Sequence, residues 1–464
     1  MQTNKRYTID MCNGPLWSAI LRFSLPLVLA SLLQMGFNAA DIVVVGKFVN
    51  ATAQGAVTST GSLVNLTVCL FLGLSAGINV IVARVLGEKN EERVSSVVHT
   101  SIALALIGGV ILTVVGEIMA PIILRWVGSP PEVIGLSTLY LRVYFFGMPG
   151  ELLYNFGSAL LRSRGDTKRP LYFLTIAGVL NVLLNLLFVV GLHWDVAGVA
   201  AATAASKYMS AFLVLSCLKA ETGSMHLDWH QLRVDWAVFR DVARIGLPAG
   251  LQSSMFSLSN VILQSAVNSL GAMAVAGIGA AASIGGFVYI TGNAFCSAAV
   301  TFTSQNFGAG KFDRIKRAHL WCMLYGGLFP FVLGGLGWLF REQVLLIYIN
   351  AEETEALMWG SLRISCVLIF YFLCGLMEVN AGTLRGLGFS MLPMLVTMVG
   401  TCFLRVFWVM FVFPLNPTLV TLSLCLPLSW GITALAHLCC YLGLRKRTFA
   451  KRAAVLAQSC KIGR

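Results

Sequence analysis

Twelve long apolar segments constrain the fold of this chain more than any other feature of its sequence. A helix needs about 20 apolar residues to cross the roughly 30 Å hydrocarbon layer of a bilayer. The segments run without the polar alternation that is typical of membrane barrel strands. They lie near residues 17–44, 55–82, 97–121, 135–160, 170–191, 196–219, 242–267, 273–303, 318–340, 358–383, 391–414 and 419–443. The sequence therefore predicts an all-α polytopic membrane protein with twelve transmembrane helices.

The composition excludes most other classes of protein. Of the 464 residues, 57% are hydrophobic and only 11% are charged, whereas soluble domains carry about 25% charged residues. A disordered chain would need low hydrophobicity and high charge. The 12 cysteines are scattered, many of them inside apolar segments, so we interpret them as buried small side chains and not as disulfides or metal ligands.

The distribution of positive charge predicts the topology. Most of the 33 lysines and arginines fall in every second connection between apolar segments and at the two ends of the chain. They concentrate in the stretches 84–93, 162–169, 219–244, 311–317 and 445–464. Basic loops stay on the cytoplasmic side, so we expect both termini in the cytoplasm. The net charge of +13 then reflects topology and predicts no nucleic-acid partner.

The chain resembles itself after a shift of about 222 residues. Stretch 21–26 aligns with 243–248, Arg142 with Arg363, and Arg162, Gly165 and Pro170 with Arg385, Gly388 and Pro393. Each half holds six predicted spans, an even number, so the halves are expected to be parallel repeats, which is typical of transporters.

The repeat and the charges together predict four parts of the chain. An N-terminal six-helix lobe covers 1–219, a cytoplasmic linker 220–241, a C-terminal six-helix lobe 242–443 and a basic cytoplasmic tail 444–464. The linker contains two tryptophans, which favours a position at the membrane surface.

Ionisable and amide side chains inside apolar segments are the first candidates for function, because burying them in a bilayer is costly. Asp41 lies three residues after Asn38, and Asn181 lies four residues before Asn185, so each pair shares a helix face. Thr203 adds a hydroxyl in the sixth span. If these faces meet, they form a carboxylate cage for a proton or for Na⁺ at Asp41, Asn181 and Thr203. The alternative is that such polar groups only join helices.

Other buried polar residues could line a substrate cavity. Glu378 and Arg405 either take part in transport or neutralise each other in a structural ion pair. Glu151 follows a Pro-Gly pair that could kink its helix, and Asn155 lies four residues further on. Lys207 could be paired or could extend to the interface.

Catalytic motifs do not occur in the sequence. It contains no Walker motif, metalloprotease motif or nucleophile elbow. We therefore predict that the protein is not an enzyme and needs no cofactor or structural metal. A membrane-embedded enzyme is the third possible class, and no catalytic constellation supports it.

The combination of these motifs resembles the multidrug and toxic compound extrusion (MATE) family, in its bacterial branch related to DNA-damage-inducible transporters. The resemblance covers nearly the whole chain. It rests on Pro26, Asp41, Gly87, the stretch 161–170, the asparagines of the fifth span, the stretch 198–203 and the stretch 384–386.

The resemblance implies a multi-pass plasma-membrane antiporter, expected to be monomeric, that exports organic, often cationic, compounds in exchange for H⁺ or Na⁺. It implies that Asp41 is the coupling carboxylate, assisted by Asn181, Asn185 and Thr203. Asn185 replaces an acid that the family often carries, so we expect H⁺ in preference to Na⁺. The alternative function is a flippase for lipid-linked oligosaccharides or other amphiphiles.

Overall fold

The computed structural model describes residues 7–49, 51–126 and 131–462, and within these it gives only the backbone for 51–67, 126, 131–132 and 459–462. No β-strand occurs in the described residues. The helices of the first half are α1 Leu16–Phe48, α2 Ala51–Glu88, α3 Glu91–Trp126, α4 Pro131–Phe146, α5 Met148–Ser163, α6 Lys168–Asn185 and α7 Asp195–Ala220.

The second half repeats this pattern with more interruptions. Its helices are α8 Trp236–Asn268, α9 Ala272–Gly308, α10 Phe312–Leu339, α11 Arg341–Leu345, α12 Thr354–Val367, α13 Tyr371–Gly386, α14 Met391–Thr397, α15 Leu404–Phe407 and α16 Leu419–Ile462. Three π-helical segments, Leu186–Gly191, Met398–Phe403 and Trp408–Val412, continue α6, α14 and α15.

The helices account for the twelve predicted spans. Among the described residues, nine helical stretches are long and apolar enough to cross a membrane, and α12 with α13, bent by 48°, makes a tenth. The two other predicted spans, 135–160 and 242–267, coincide with α4–α5 and with α8. The all-α polytopic architecture is thereby confirmed, and the twelve-helix count agrees with the structure.

Contacts divide the chain into two compact units. The N-terminal unit contains Leu29–Leu247 and the short stretch before Asp10, and the C-terminal unit contains Asp10–Val28 and the chain from Pro248 onward. The divisions fall next to Pro26 in α1 and at Pro248 in α8. A proline removes one backbone hydrogen bond and can bend a helix there.

The boundaries of the two compact units therefore differ from the lobe boundaries that the sequence predicts at residues 219 and 242. The predicted linker 220–241 and the first turns of α8 pack within the N-terminal unit. A Cβ on Gly77 of α2 would lie 2.5 Å from the Val242 carbonyl oxygen, so only glycine permits this approach.

The linker is attached to α3 by polar contacts. The Asp228 backbone N–H donates to His99 Nε2 at 3.1 Å, and Ser96 Oγ donates to the Asp235 carboxylate at 2.9 Å. The hydrogen bond from Ser96 holds the pKa of Asp235 below its usual value. Trp236, at the start of α8, is largely exposed. The linker is thus an ordered part of the N-terminal unit.

Candidate functional site

Three helices of the N-terminal unit place polar side chains around Asp41. The Asp41 carboxylate, on α1, is only 9% exposed. Asn185 Nδ2, at the end of α6, donates a hydrogen bond to its Oδ1 atom, and Thr203 Oγ1, on α7, lies 3.4 Å from its Oδ2 atom. The structure therefore brings together three of the four residues that we predicted for ion coupling.

Asn181 completes this group, which we call the Asp41 cluster. Its Nδ2 atom donates to Thr203 Oγ1, and its Oδ1 atom accepts from Asn185 Nδ2, both at 3.4 Å. The two asparagines are one helical turn apart, as the four-residue spacing predicted. All four predicted coupling residues, Asp41, Asn181, Asn185 and Thr203, are thus in mutual contact.

The Asp41 cluster leaves one buried acceptor unused. Within the described residues, nothing donates a hydrogen bond to the Asn185 Oδ1 atom. Buried polar atoms are usually paired, so this amide oxygen could accept a hydrogen bond beside the carboxylate. Asn185 is also the last residue of α6 before the π-helical segment Leu186–Gly191, and such segments often mark functional sites.

Apolar side chains surround the Asp41 cluster. A buried group on α1, α4, the π-helical segment and α7 consists of Val44, Val45, Tyr140, Val189, Val196, Val199 and Ala200. This wall excludes water from one side of the carboxylate and strengthens the electrostatic interactions there. Tyr140 was not found by sequence reasoning, because an aromatic residue in an apolar span gives no signal of its own.

Glu151 and Lys207 form a buried ion pair next to the Asp41 cluster. The Lys207 ammonium lies 2.6 Å from the Glu151 carboxylate and 3.3 Å from the centroid of the Tyr144 ring. A Cβ on Gly150 would lie 2.9 Å from the Lys207 carbonyl carbon, so glycine brings α5 and α7 close enough for the pair. Lys207, whose role the sequence left open, is therefore paired.

Asn155 and Asn38, which the sequence also offers as residues of a substrate cavity, do not belong to the Asp41 cluster. Asn155 Nδ2 donates to the Glu151 carbonyl oxygen at 3.0 Å, within its own helix. Asn38 is exposed and lies outside the Asp41 cluster. A three-residue spacing rotates a helix position by about 60°, which is enough to bury Asp41 and leave Asn38 on the surface.

In the C-terminal unit, Glu378 does not pair with Arg405. Its carboxylate lies 3.8 Å from Arg385 on the same helix and accepts a weak hydrogen bond from the Cys296 thiol at 3.8 Å. The structural ion pair between Glu378 and Arg405, one of the two alternatives that the sequence left open, is therefore not formed. Two helical turns bring Arg385 onto the face of Glu378, which a search for partners across helices overlooked.

Arg405 is bound by neutral side chains. It is 0% exposed, and its guanidinium donates to Ser259 Oγ at 3.2 Å, Asn260 Oδ1 at 3.0 Å and Ser429 Oγ at 3.3 Å. The Phe256 ring centroid lies 4.9 Å from its central carbon. Sequence reasoning missed these partners, although Asn260 lies at the repeat position of Asn38.

A metal centre built from the usual side chains is not present in the described part of the chain. No group of three or more His, Cys, Asp and Glu residues there could hold a metal ion.

A family model and known proteins match this arrangement. The MatE family model matches residues 26–187 and again 248–410, one match in each half, as the internal repeat predicted. The chain is 28% identical to the "Probable multidrug resistance protein YoeA" of Bacillus subtilis over 392 residues, which cover 82% of this chain and 83% of that protein. It is 25% identical to an "FAD transporter" of Shewanella oneidensis, covering 67% and 69% of the two chains.

Solved structures share the fold. An outward-facing MATE multidrug resistance transporter superposes with a TM-score of 0.86 at 21% identity, over 96% of this chain and 98% of that one. A Pyrococcus furiosus transporter of the same superfamily, described as having a binding pocket of reverse polarity, superposes with a TM-score of 0.87 at 21% identity, over 96% and 98%. The chain therefore belongs to the MATE family: it is a multi-pass membrane transporter of the multidrug efflux kind and not an enzyme.

Proposed function

We propose that this protein is a plasma-membrane antiporter that exports small organic compounds, many of them cationic, in exchange for inward H⁺. Asp41 is the coupling carboxylate. The observation that carries the proposal is the Asp41 cluster itself, a buried carboxylate with two side-chain donors and, beside it, a buried acceptor with no donor. Relatives named as multidrug resistance or export proteins support the substrate class.

Protonation would rearrange the hydrogen bonds of the Asp41 cluster. The ionised carboxylate accepts from Asn185 and Thr203 and can donate to neither. A protonated carboxyl has one O–H to donate, and rotation of the Asn185 amide would present its Oδ1 atom as the acceptor. The hydrogen bonds between α1 and α6 would then differ between the two protonation states. Such a difference biases the equilibrium between outward-open and inward-open forms.

The donors around Asp41 favour H⁺ over Na⁺. A sodium ion needs several oxygen ligands, whereas an N–H of Asn185 faces Oδ1 and a hydroxyl of Thr203 faces Oδ2. Asn185 also supplies no second charge. Na⁺ binding would require the Asn185 N–H to turn away, whereas the Thr203 hydroxyl can direct its one proton to the Val199 carbonyl oxygen, 2.9 Å away. Protonation of Asp41 requires only the amide of Asn185 to rotate. The cluster fits a proton better than a sodium ion.

The flippase alternative has no specific observation in its favour. The relatives above carry names of multidrug and small-molecule transporters. We therefore propose alternating access for small solutes, with both termini in the cytoplasm and a monomeric protein.

Transport in liposomes tests this proposal. Purified protein is reconstituted, pH and Na⁺ gradients are imposed separately, and ethidium movement is followed. We expect a pH gradient alone to drive transport and Asp41→Asn to abolish it. The matched control is Glu117→Gln, which makes the same carboxylate-to-amide change in a half-exposed pair with Arg142 and should leave transport unchanged. Unchanged ethidium transport by Asp41→Asn would remove the assignment, and transport driven only by Na⁺ would replace H⁺ as the coupling ion.

A further inference from the structure

Two neighbouring side chains of the C-terminal unit have buried N–H groups without an acceptor. These are Arg405 Nη2 and Trp430 Nε1, for which no described residue accepts a hydrogen bond. The central carbon of the guanidinium lies 6.0 Å from the centroid of the Trp430 ring. Most buried donors are paired, and here two neighbouring side chains each keep an N–H available for an acceptor.

The charge of Arg405 is also uncompensated. Its three hydrogen-bond partners, Ser259, Asn260 and Ser429, are all neutral. No carboxylate of the described residues forms an ion pair with it, since Glu378 pairs with Arg385. An isolated buried charge is costly unless an opposite charge binds it. An anion from outside the chain would meet this need.

Aromatic rings surround the guanidinium. The Phe256 ring lies 4.9 Å from it, and the Tyr371 ring centroid lies 4.9 Å from that of Trp430. Aromatic side chains stack on planar ligands and attract cationic ones through their faces. A ligand bound at Arg405 would therefore meet flat apolar surfaces on at least two sides.

One partner of each of the two side chains lies nearer to the surface of the unit. Asn260, the partner of Arg405 Nη1, is itself exposed. Tyr371, which contacts Trp430, also lines a narrow cleft together with Tyr289, Asn293 and Glu378.

The local backbone supports a ligand site. Arg405 lies in the single turn α15, between the π-helical segments Met398–Phe403 and Trp408–Val412. Each π-helical segment places its carbonyls differently from an α-helix, and such segments are frequent at functional sites. Arg363, in the same unit, lies instead in a regular α-helix and donates to Ser423 Oγ at 2.9 Å.

We propose that Arg405 and Trp430 bind the oxyanion, a carboxylate or a phosphate, of a transported aromatic compound. The guanidinium supplies charge and a directed Nη2–H donor, and the indole supplies a second donor. This inference rests on the proposed function as an exporter of organic compounds and adds aromatic acids and zwitterions to its substrate classes.

Binding of matched fluorescent probes to the purified protein tests the site. Rhodamine 110 carries a free carboxylate, and rhodamine 123 is its methyl ester. Riboflavin 5′-phosphate and riboflavin form a second pair, which separates phosphate from carboxylate recognition. The member of each pair without the anionic group is called the uncharged member, although rhodamine 123 keeps the positive charge of its ring system. We expect the wild-type protein to prefer the acid member of at least one pair by about tenfold or more, since a charge-assisted hydrogen bond is lost in the uncharged member.

The variants assign that preference to the two residues. Arg405→Gln should weaken binding of the acid about ten- to hundredfold and change binding of its uncharged partner less than about twofold. Trp430→Phe keeps the ring and removes only the N–H, so a loss of about three- to tenfold, again confined to the acid, is expected. Arg363→Gln is the control and should leave the acid preference intact.

Other results would overturn the proposal. The oxyanion site is contradicted if the wild-type protein binds both members of each pair with equal affinity. It is also contradicted if Trp430→Phe, a variant that retains the packing, weakens binding of the acid and of the uncharged probe equally. If added phosphatidylglycerol in phosphatidylcholine vesicles displaces the acid probes competitively, the anion is a lipid headgroup and not a substrate group.

Failure of this inference and failure of the proposed function are distinguishable. Asp41→Asn should abolish transport and retain binding of the acid probe. If a pH gradient drives transport of rhodamine 123 but Arg405→Gln does not change binding of the acid probe, the antiporter proposal stands and the oxyanion site is ruled out.

Discussion

The two units place opposite buried charges on different helices of the same helix pair of the repeat. In the N-terminal unit, the first helix supplies Asp41 and the fifth span supplies neutral amides. In the C-terminal unit, the eleventh span supplies Arg405 and the seventh supplies the neutral Ser259 and Asn260. The same arrangement of helices thus holds a buried acid in one half and a buried base in the other.

The units also differ in how far the protein satisfies its own charges. The N-terminal unit pairs Glu151 with Lys207 and gives both oxygens of Asp41 a donor. The C-terminal unit leaves Arg405 Nη2 and Trp430 Nε1 without acceptors among the described residues. We therefore propose different roles for the two halves of the repeat. The N-terminal half binds the coupling ion, and the C-terminal half binds a group of the substrate.

The largest expected effect comes from breaking the paired charges of the N-terminal unit. Lys207→Met leaves the Glu151 carboxylate buried and alone, which should lower the free energy of unfolding by about 3–5 kcal/mol. Thermal unfolding of the purified protein measures this loss. The double variant Glu151→Gln with Lys207→Met should recover most of it, and an unchanged midpoint in the single variant would contradict the buried pair.

A second acid in the Asp41 cluster should increase the difference in buried charge between the two units. Asn185→Asp adds a carboxylate and removes an N–H that faces Asp41, so the cluster becomes a better site for a hard cation. We expect the initial rate driven by a Na⁺ gradient to rise about tenfold over that of the wild-type protein, which corresponds to roughly 1.4 kcal/mol of added cation binding. No gain in Na⁺-driven transport would show that the position at 185 does not select the ion.

Removing Arg405, which has no acidic partner, should lower the free energy of unfolding much less than removing Lys207, which has one. Arg405→Met takes away a buried charge that no acid compensates, so the free energy of unfolding of the ligand-free protein should change by less than about 1 kcal/mol, or increase. Thermal unfolding of Arg405→Met and of Lys207→Met, measured under the same conditions, tests this expectation. Equal destabilisation by the two variants would mean that the protein itself neutralises Arg405.

The smallest expected effect concerns an exposed ion pair. Arg93 lies 2.8 Å from Asp241, and both side chains are more than a third exposed. Solvent screens such pairs, so Asp241→Asn should change the free energy of unfolding by less than about 1 kcal/mol. A loss as large as that of Lys207→Met would show that burial is not what separates the two pairs.

The sequence by itself determined the features that depend on one helix at a time. The length of each apolar segment predicts a membrane-spanning helix, because the thickness of the bilayer sets that length. The spacing of Asn181 and Asn185 predicts a shared face, because the helical repeat fixes it. The cost of a buried carboxylate marked Asp41 before any contact was known.

Tertiary structure alone decided the partners. Lys207 reaches Glu151 because glycines bring α5 and α7 together, and Glu378 pairs with Arg385 while Arg405 remains with Ser259, Asn260 and Ser429. The π-helical segments on either side of α15 change the direction of the side chains that follow them. The periodicity of the sequence does not predict these segments. The rotation of one helix against another depends on packing over its whole length, so local pattern could identify the charged residues but not their neighbours.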